Sequence, residues 1–68
     1  MDGFYVYILK CADFSYYVGV TNNLERRMKE HSDGHKETSY TNPRRPVQLV
    51  YFEYYNYINN AISREKQL

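Results

Sequence analysis

The chain has 68 residues and a formal net charge of +1, with nine tyrosines and three phenylalanines. A chain of this length holds one small domain and buries only about 60% of its unfolded surface, so the aromatic residues must supply much of the core. The near-zero charge does not mark a nucleic-acid binder, and the single cysteine, Cys11, excludes an internal disulfide and a cysteine-rich zinc site. There is no secretory signal and no apolar stretch near the roughly 18 residues of a membrane span, so we expect a soluble cytoplasmic protein.

Two strands joined by a short turn are predicted at the start of the chain. Residues 4–9 form a continuous apolar and aromatic run, typical of a strand covered on both faces, as the middle strand of a sheet is. Residues 12–15 offer turn chemistry, and residues 16–20 return as a second strand, which makes a hairpin. Because side chains alternate between faces, Tyr7 and Tyr17 can lie side by side. Gly19, on the face of Tyr17, marks either a strand irregularity or a gap left for a ligand backbone.

A short helix is predicted over residues 24–31. Its apolar stripe, formed by Leu24 and Met28, also contains Arg27 and His31. Charged groups on an inward stripe are costly without a partner, so Arg27 and His31 are candidate site residues. A histidine at a helix end also acts as a partner of the helix dipole, and this second interpretation of His31 stays open. The candidate N-caps are Thr21, Asn22 and Asn23.

Residues 32–45 show no periodicity and predict a loop. Loops of this length without their own structure often serve binding. Basic and aromatic side chains in this loop are candidates for following a phosphate backbone, because cations neutralise phosphates and aromatic rings stack on bases. The candidate nucleic-acid contacts are Lys36, Tyr40, Arg44 and Arg45. A solvated loop is the competing interpretation, since acidic residues dilute the charge.

A third strand is predicted over residues 47–55, after Pro46. Strict alternation would place Leu49 and Tyr51 on one face, and Phe52 and Tyr54 on the other. The predicted fold class is therefore α+β, a three-stranded antiparallel sheet with flanking helices in the order β-β-α-β-α.

The last predicted helix follows Asn56, which we expect to be its N-cap. One face carries Ile58, Ala61, Ile62, Glu65 and Leu68. Glu65 is the exception on this face, because an acid in an apolar stripe is costly unless it meets a cation or a site, while the neighbouring Arg64 should point away. The helical pattern still runs at Leu68 without a capping glycine, which predicts a helix that is either truncated or naturally minimal.

The order of these segments resembles the GIY-YIG nuclease family. Each name motif is weak alone, but the order and separation of the motifs and of the later Arg, His and Glu make the combination specific, and the match covers nearly all of residues 1–68 as a single domain. The residues that carry the resemblance are Tyr5-Val6-Tyr7, Tyr17-Val18-Gly19, Arg27, His31 and Glu65. The chain is most similar to the small stand-alone bacterial members, which are related to the N-terminal nuclease domain of the bacterial DNA-repair excinuclease.

The resemblance implies a metal-dependent endonuclease that hydrolyses phosphodiester bonds of nucleic acid, with DNA as the expected substrate. It implies that Glu65 ligates one Mg²⁺ or Mn²⁺ and that Arg27 stabilises the phosphate. Tyr17 would be the general base, Tyr7 would orient the attacking water or the phosphate, and His31 would assist proton transfer or hold a tyrosine. A lone carboxylate suits such ions because they retain several waters, and an arginine fork matches the charge that builds on phosphorus.

Two departures from the family bear on this interpretation. Val20 stands where some relatives have a lysine that helps to ionise the tyrosine base, so its absence moves that task to Arg27 and His31 or implies slow turnover. No accessory DNA-binding domain is present, so target choice is broad or supplied by a protein partner. The alternative function is a nucleic-acid-binding or protein-interaction module of the same fold in which cleavage is weak or lost.

Overall fold

The computed structural model describes residues 3–33 and 42–68. Three strands and two helices follow in the predicted order β-β-α-β-α, so the α+β class is confirmed. Their bounds are β1 Phe4–Lys10, β2 Tyr16–Thr21, α1 Leu24–Asp33, β3 Gln48–Tyr55 and α2 Ile58–Gln67. A short 3-10 helix, Asn42–Arg44, precedes β3 within the predicted loop. None of the described helices is long and apolar enough to cross a membrane.

The sheet has the order β2-β1-β3, and β1 pairs antiparallel with both neighbours. This confirms the prediction that the first apolar run is the middle strand. Tyr7 lies opposite Gly19, and Leu9 opposite Tyr17, so these four residues share one face, which we call the α1 face because α1 contacts it. Val6 lies opposite Glu53 on the other face, the α2 face, and Val6 is fully buried.

A bulge in β3 overturns the predicted facing of this strand. The register between β1 and β3 shifts at Ile8 and Leu9, so Tyr51 lies opposite Ile8 while Leu49 lies opposite Leu9. Neighbouring β1 residues point to opposite faces, and therefore Leu49 shares the α1 face with Phe52 instead of sharing a face with Tyr51. The extra residue, which strict alternation cannot foresee, accounts for the difference.

The two helices begin differently. Asn23 caps α1, since its Oδ1 accepts the Arg26 backbone N–H at 3.0 Å, which selects one of the three candidate caps. The prediction that Asn56 caps α2 is wrong. Tyr57 occupies the N-cap position without a side-chain cap hydrogen bond, and its carbonyl accepts the Ala61 N–H at 3.2 Å. Asn56 lies one residue too early to satisfy the first turn.

Candidate active site

Four of the predicted site residues meet on the α1 face, and all four are rings or cations supplied by three elements. The rings of Tyr7 on β1 and Tyr17 on β2 lie 6.2 Å apart between centroids. The imidazole of His31, from the last turn of α1, stands edge-on to both rings, at 5.8 Å from Tyr7 and 5.2 Å from Tyr17. Arg27, one helical turn earlier, reaches the Tyr7 hydroxyl from Nε at 3.3 Å.

A directed chain of hydrogen bonds runs through the Tyr7 hydroxyl. The hydroxyl accepts the Nε–H of Arg27 and lies 3.0 Å from His31 Nε2. Because a phenol has one proton and Arg27 can only donate, Tyr7 donates its proton to Nε2, which must be unprotonated. The His31 ring is therefore neutral with its proton on Nδ1, and a neutral ring does not serve as a charged partner of the helix dipole.

Burial and the neighbouring charges set the proton affinities of this chain. Burial raises the pKa of Tyr7 to about 12, against the opposing effect of the Arg27 hydrogen bond. Burial, and then the positive charge of Arg27, lower the pKa of His31 from 6.5 to about 4. Both shifts keep the two side chains uncharged at neutral pH, so Tyr7 acts as a hydrogen-bonding group and is a poor proton acceptor.

Arg27 is held from two sides. Its Nη1 donates to Glu30 Oε1 at 2.9 Å, in addition to the Nε contact with Tyr7. Burial lowers the pKa of Arg27, but the hydrogen bonds to Tyr7 and Glu30 outweigh it and the pKa is raised. The sequence assigned Glu30 only to a surface pair with Arg26, which exists at 3.8 Å. The spacing of three residues between Arg27 and Glu30 was the signal for the second pair.

The His31 environment predicts a pH dependence of stability. Above pH 6.5 the ring is neutral in both states, whereas below it the unfolded chain binds a proton that the folded site resists, so stability falls as the pH drops from 6.5 to about 4. Replacing His31 by glutamine keeps an acceptor for the Tyr7 hydroxyl and removes the titration. Urea unfolding of both proteins between pH 6.5 and 5, where ordinary carboxylates stay largely ionised, should show a flatter profile for His31→Gln. Equal slopes would contradict the assignment.

Gly19 makes room for Tyr7 within the sheet. A Cβ at position 19 would fall 2.5 Å from the Tyr7 hydroxyl oxygen and 3.0 Å from Cε2 of Tyr17. The register through Gly19 is regular, so the glycine is no irregularity of the pairing between β1 and β2. The space that it leaves is filled by the phenol of this chain.

Gly19→Ala is therefore expected to displace the Tyr7 hydroxyl and break its bonds to Arg27 and His31. We expect a stability loss of about 1–3 kcal/mol from overpacking, and a His31 pKa that moves toward 6.5, measured by NMR titration of the imidazole. Gly3→Ala is the matched control, because its Cβ would collide with the Tyr54 ring. That variant should lose stability and leave the His31 pKa in place; a shift in both variants would refute the specific role of Gly19.

Glu65 lies on α2, half-buried, and no hydrogen bond or ion pair joins its carboxylate to another residue of the described ranges. The structure thus brings Tyr7, Tyr17, Arg27 and His31 together and shows no contact between them and Glu65. The helix itself packs on the α2 face through Ala61, which is fully buried. Ile58 and Ile62, predicted on the same apolar stripe, are each about two-fifths exposed, at 40% and 38%.

Arg64 fixes the rotation of α2, which corrects the prediction that it points away. Its Nε and Nη2 donate to the two carboxylate oxygens of Glu53 at 2.9 and 3.2 Å, and the hydroxyls of Tyr51 and Tyr55 also donate to that carboxylate. The Arg64 hydrogen bonds, followed by those of the tyrosines, lower the pKa of Glu53 to about 2. The sequence signal was a single acid in an aromatic strand.

This clamp turns Glu65 toward the opposite flank of α2. Successive residues of a helix are rotated by about 100°, so a helix that holds Arg64 over β3 presents Glu65 on the flank nearer β2. A small cleft opens at that edge of the sheet, lined by Val20 of β2, Arg26 and Arg27 of α1, and Ile58 of α2. Both helices thus approach each other around the edge strand that carries Tyr17.

The predicted nucleic-acid contacts divide into two groups. Lys36 and Tyr40 lie outside the described residues. Arg44 donates from Nε to Asp13 Oδ2 at 3.0 Å, and Arg45 donates from Nη1 to the Ser32 carbonyl at 3.2 Å. Both arginines therefore have intramolecular partners that tie this segment to the hairpin turn and to α1.

The fold and these four convergent residues define a class of protein. A model of the GIY-YIG catalytic domain matches residues 3–68, and the chain belongs to the GIY-YIG family of nucleases, whose members are generally dependent on a divalent metal. The described residues contain no group of three or more His, Cys, Asp or Glu side chains that could hold a metal ion.

Within this family the chain is similar to small proteins designated UPF0213. It is 56% identical over 61 residues to a UPF0213 protein of Clostridium perfringens, covering 90% of this chain and 64% of the relative. It is 46% identical over 67 residues to a UPF0213 protein of Pediococcus pentosaceus, covering 98% of this chain and 70% of the relative. The solution NMR structure of a UPF0213 protein from Bacillus halodurans matches with a TM-score of 0.58 and 38% identity, covering 96% of this chain and 68% of that one.

Proposed function

We propose that this protein is an endonuclease that hydrolyses phosphodiester bonds of nucleic acid, with DNA as the substrate. The observation that carries the proposal is the directed chain from Arg27 through Tyr7 to His31, beside Tyr17. Such a preassembled group has no structural need for a guanidinium at a pocket edge, whereas a phosphoryl-transfer site needs one. Family membership supplies the reaction class.

The chain's own residues have separate tasks in the proposed reaction. Arg27 presents its planar cation to the phosphate and stabilises the charge that builds on its oxygens. Tyr7 is a positioning residue, because its raised pKa of about 12 keeps it protonated and its hydroxyl holds Arg27 and His31 in place. Tyr17, beside His31 and facing the same space, is the proposed general base toward the attacking water.

Glu65 is the proposed ligand of one Mg²⁺ or Mn²⁺. A single half-buried carboxylate fits a hard cation that keeps most of its waters and takes further oxygens from the substrate phosphate. When bound, the ion supplies Lewis-acid stabilisation of the phosphate and the leaving oxygen. The Glu65 carboxylate has no intramolecular partner among the described residues, and its helix is turned so that this side chain lies toward β2.

The second candidate is a module of the same fold that binds nucleic acid without cutting it. The Arg27–Glu30 ion pair favours this function, because Glu30 neutralises part of the cation that a phosphate must engage. The absence of a lysine at Val20 also removes a cation from the neighbourhood of the proposed base.

Cleavage assays on single-stranded, branched and duplex DNA, with an RNA strand for comparison, separate the two functions. We expect products with Mg²⁺ or Mn²⁺ and none after chelation with EDTA. Binding of the same substrates without any product, at every metal concentration, would instead establish the binding module.

A further inference from the structure

The hairpin turn between β1 and β2 presents an exposed aromatic ring in an unusual backbone conformation. Phe14 is 76% exposed, and its φ of 68° lies in the left-handed region that non-glycine residues rarely adopt. The turn is nonetheless firmly closed. Phe14 donates its N–H to the Cys11 carbonyl at 3.0 Å, and the Asp13 carboxylate accepts the Ser15 N–H at 3.0 Å.

Neither stability nor packing accounts for this residue. A glycine would take the same φ without steric cost, and a ring that is three-quarters exposed buries little apolar surface. Strain at an exposed position is a common mark of a binding residue, since the sequence there serves an interaction and not the fold.

A shallow groove runs beside the Phe14 ring, between the turn and the segment that enters β3. Its walls are Phe14, Pro46 and Val47, and its polar ends are Lys10 and Gln48, which lie opposite each other in the sheet. The Lys10 ammonium stands 5.3 Å from the centroid of the Phe14 ring. An apolar slot with one cation and one amide suits a flat, partly polar ring attached to an anion.

We propose that this groove binds an unpaired nucleobase of the nucleic-acid strand, with Phe14 stacking on the base, Gln48 bonding to its edge and Lys10 facing the adjacent phosphate. Stacking on an aromatic side chain accepts every base, because each has a π-face. The groove also continues from the active site: Lys10 pairs with Tyr16, the neighbour of Tyr17, and β3 lies roughly 10 Å from β2, two strand spacings away. This inference rests on the proposed function, and it makes single-stranded or distorted nucleic acid the preferred substrate class.

The test compares binding of a short fluorescent oligothymidylate with binding of an abasic strand of equal length, both without divalent metal. In Phe14→Gly the ring is lost while the backbone strain is relieved. We expect the affinity for the base-bearing strand to fall about 5- to 100-fold, the affinity for the abasic strand to stay within about twofold, and the melting temperature to rise by a few degrees. Phe14→Tyr, which keeps the ring, should bind like the wild type.

An unchanged affinity of Phe14→Gly for oligothymidylate would overturn the proposal, as would an equal loss for the two strands, and the exposed ring would then fit a protein partner instead. Cleavage of the same oligonucleotide by the wild type with Mg²⁺ is measured in parallel. A wild type that shows the base-dependent loss on Phe14→Gly but never cuts supports the groove while refuting the endonuclease. A wild type that cuts, with Phe14→Gly binding normally, overturns the groove alone.

Discussion

Arg27→Ala is expected to lower kcat/KM for phosphodiester cleavage by about 10³-fold or more, the effect of removing a guanidinium from a phosphoryl-transfer site. Two losses combine here. The phosphate loses its bidentate cation, and Tyr7 loses the Nε–H donor that fixes its hydroxyl against His31. Steady-state cleavage of a labelled substrate with Mg²⁺ measures the change, and Arg27→Lys should recover only a small part because an ammonium lacks the fork.

The neighbouring arginine provides the matched control. Arg26 shares the same carboxylate, Glu30, at 3.8 Å, and its side chain is 60% exposed. Arg26→Ala removes the same formal charge from the same helix, so a loss of general electrostatic attraction would appear in both variants, while a loss of transition-state stabilisation would appear only in Arg27→Ala. Comparable activity of the two variants would remove Arg27 from the proposed catalytic group.

Glu65→Gln is expected to abolish metal-dependent cleavage, with a fall of about 10³-fold, because an amide keeps the shape of the side chain but loses the charge that holds the cation. Neither excess Mg²⁺ nor Mn²⁺ should restore the rate. A second readout is independent of activity: paramagnetic broadening of NMR signals by Mn²⁺ should be centred near Glu65 in the wild type and disappear in the variant.

Glu25→Gln is the control for this experiment, since Glu25 is an exposed acid in the first turn of α1. It should leave both the cleavage rate and the Mn²⁺ broadening unchanged. If the wild type binds nucleic acid without cutting it, and Glu65→Gln binds equally well, the binding module replaces the endonuclease.

The elements of this fold followed from local patterns, because the aromatic strands and the amphipathic helices each have a clear period. What the sequence could not predict depended on pairing. The bulge in β3 inserts one residue and moves Leu49 to the other face, and the cap of α2 falls at Tyr57 because the helix begins where tertiary packing of Ala61 allows it.

The candidate site divides in a similar way. Arg27 and His31 stood out because a charge and an imidazole on an apolar stripe need partners, and the structure supplies them in Tyr7 and Glu30. The clamp between Glu53 and Arg64 joins two elements eleven residues apart in the chain, and neither partner alone breaks a local rule strongly enough to be singled out. The role of Glu65 stays a prediction, since it depends on a cation and a substrate.

The seat of the Tyr7 hydroxyl above Gly19 has one more consequence. Its proton is shielded from solvent and directed at a nitrogen lone pair, so it should exchange with water slowly enough to give its own downfield resonance in the ligand-free protein. That signal would act as an internal gauge of whether the phenol, the imidazole and the guanidinium are in register before any substrate arrives. The entropy of immobilising these three side chains is then lost when the chain folds and not when the strand docks.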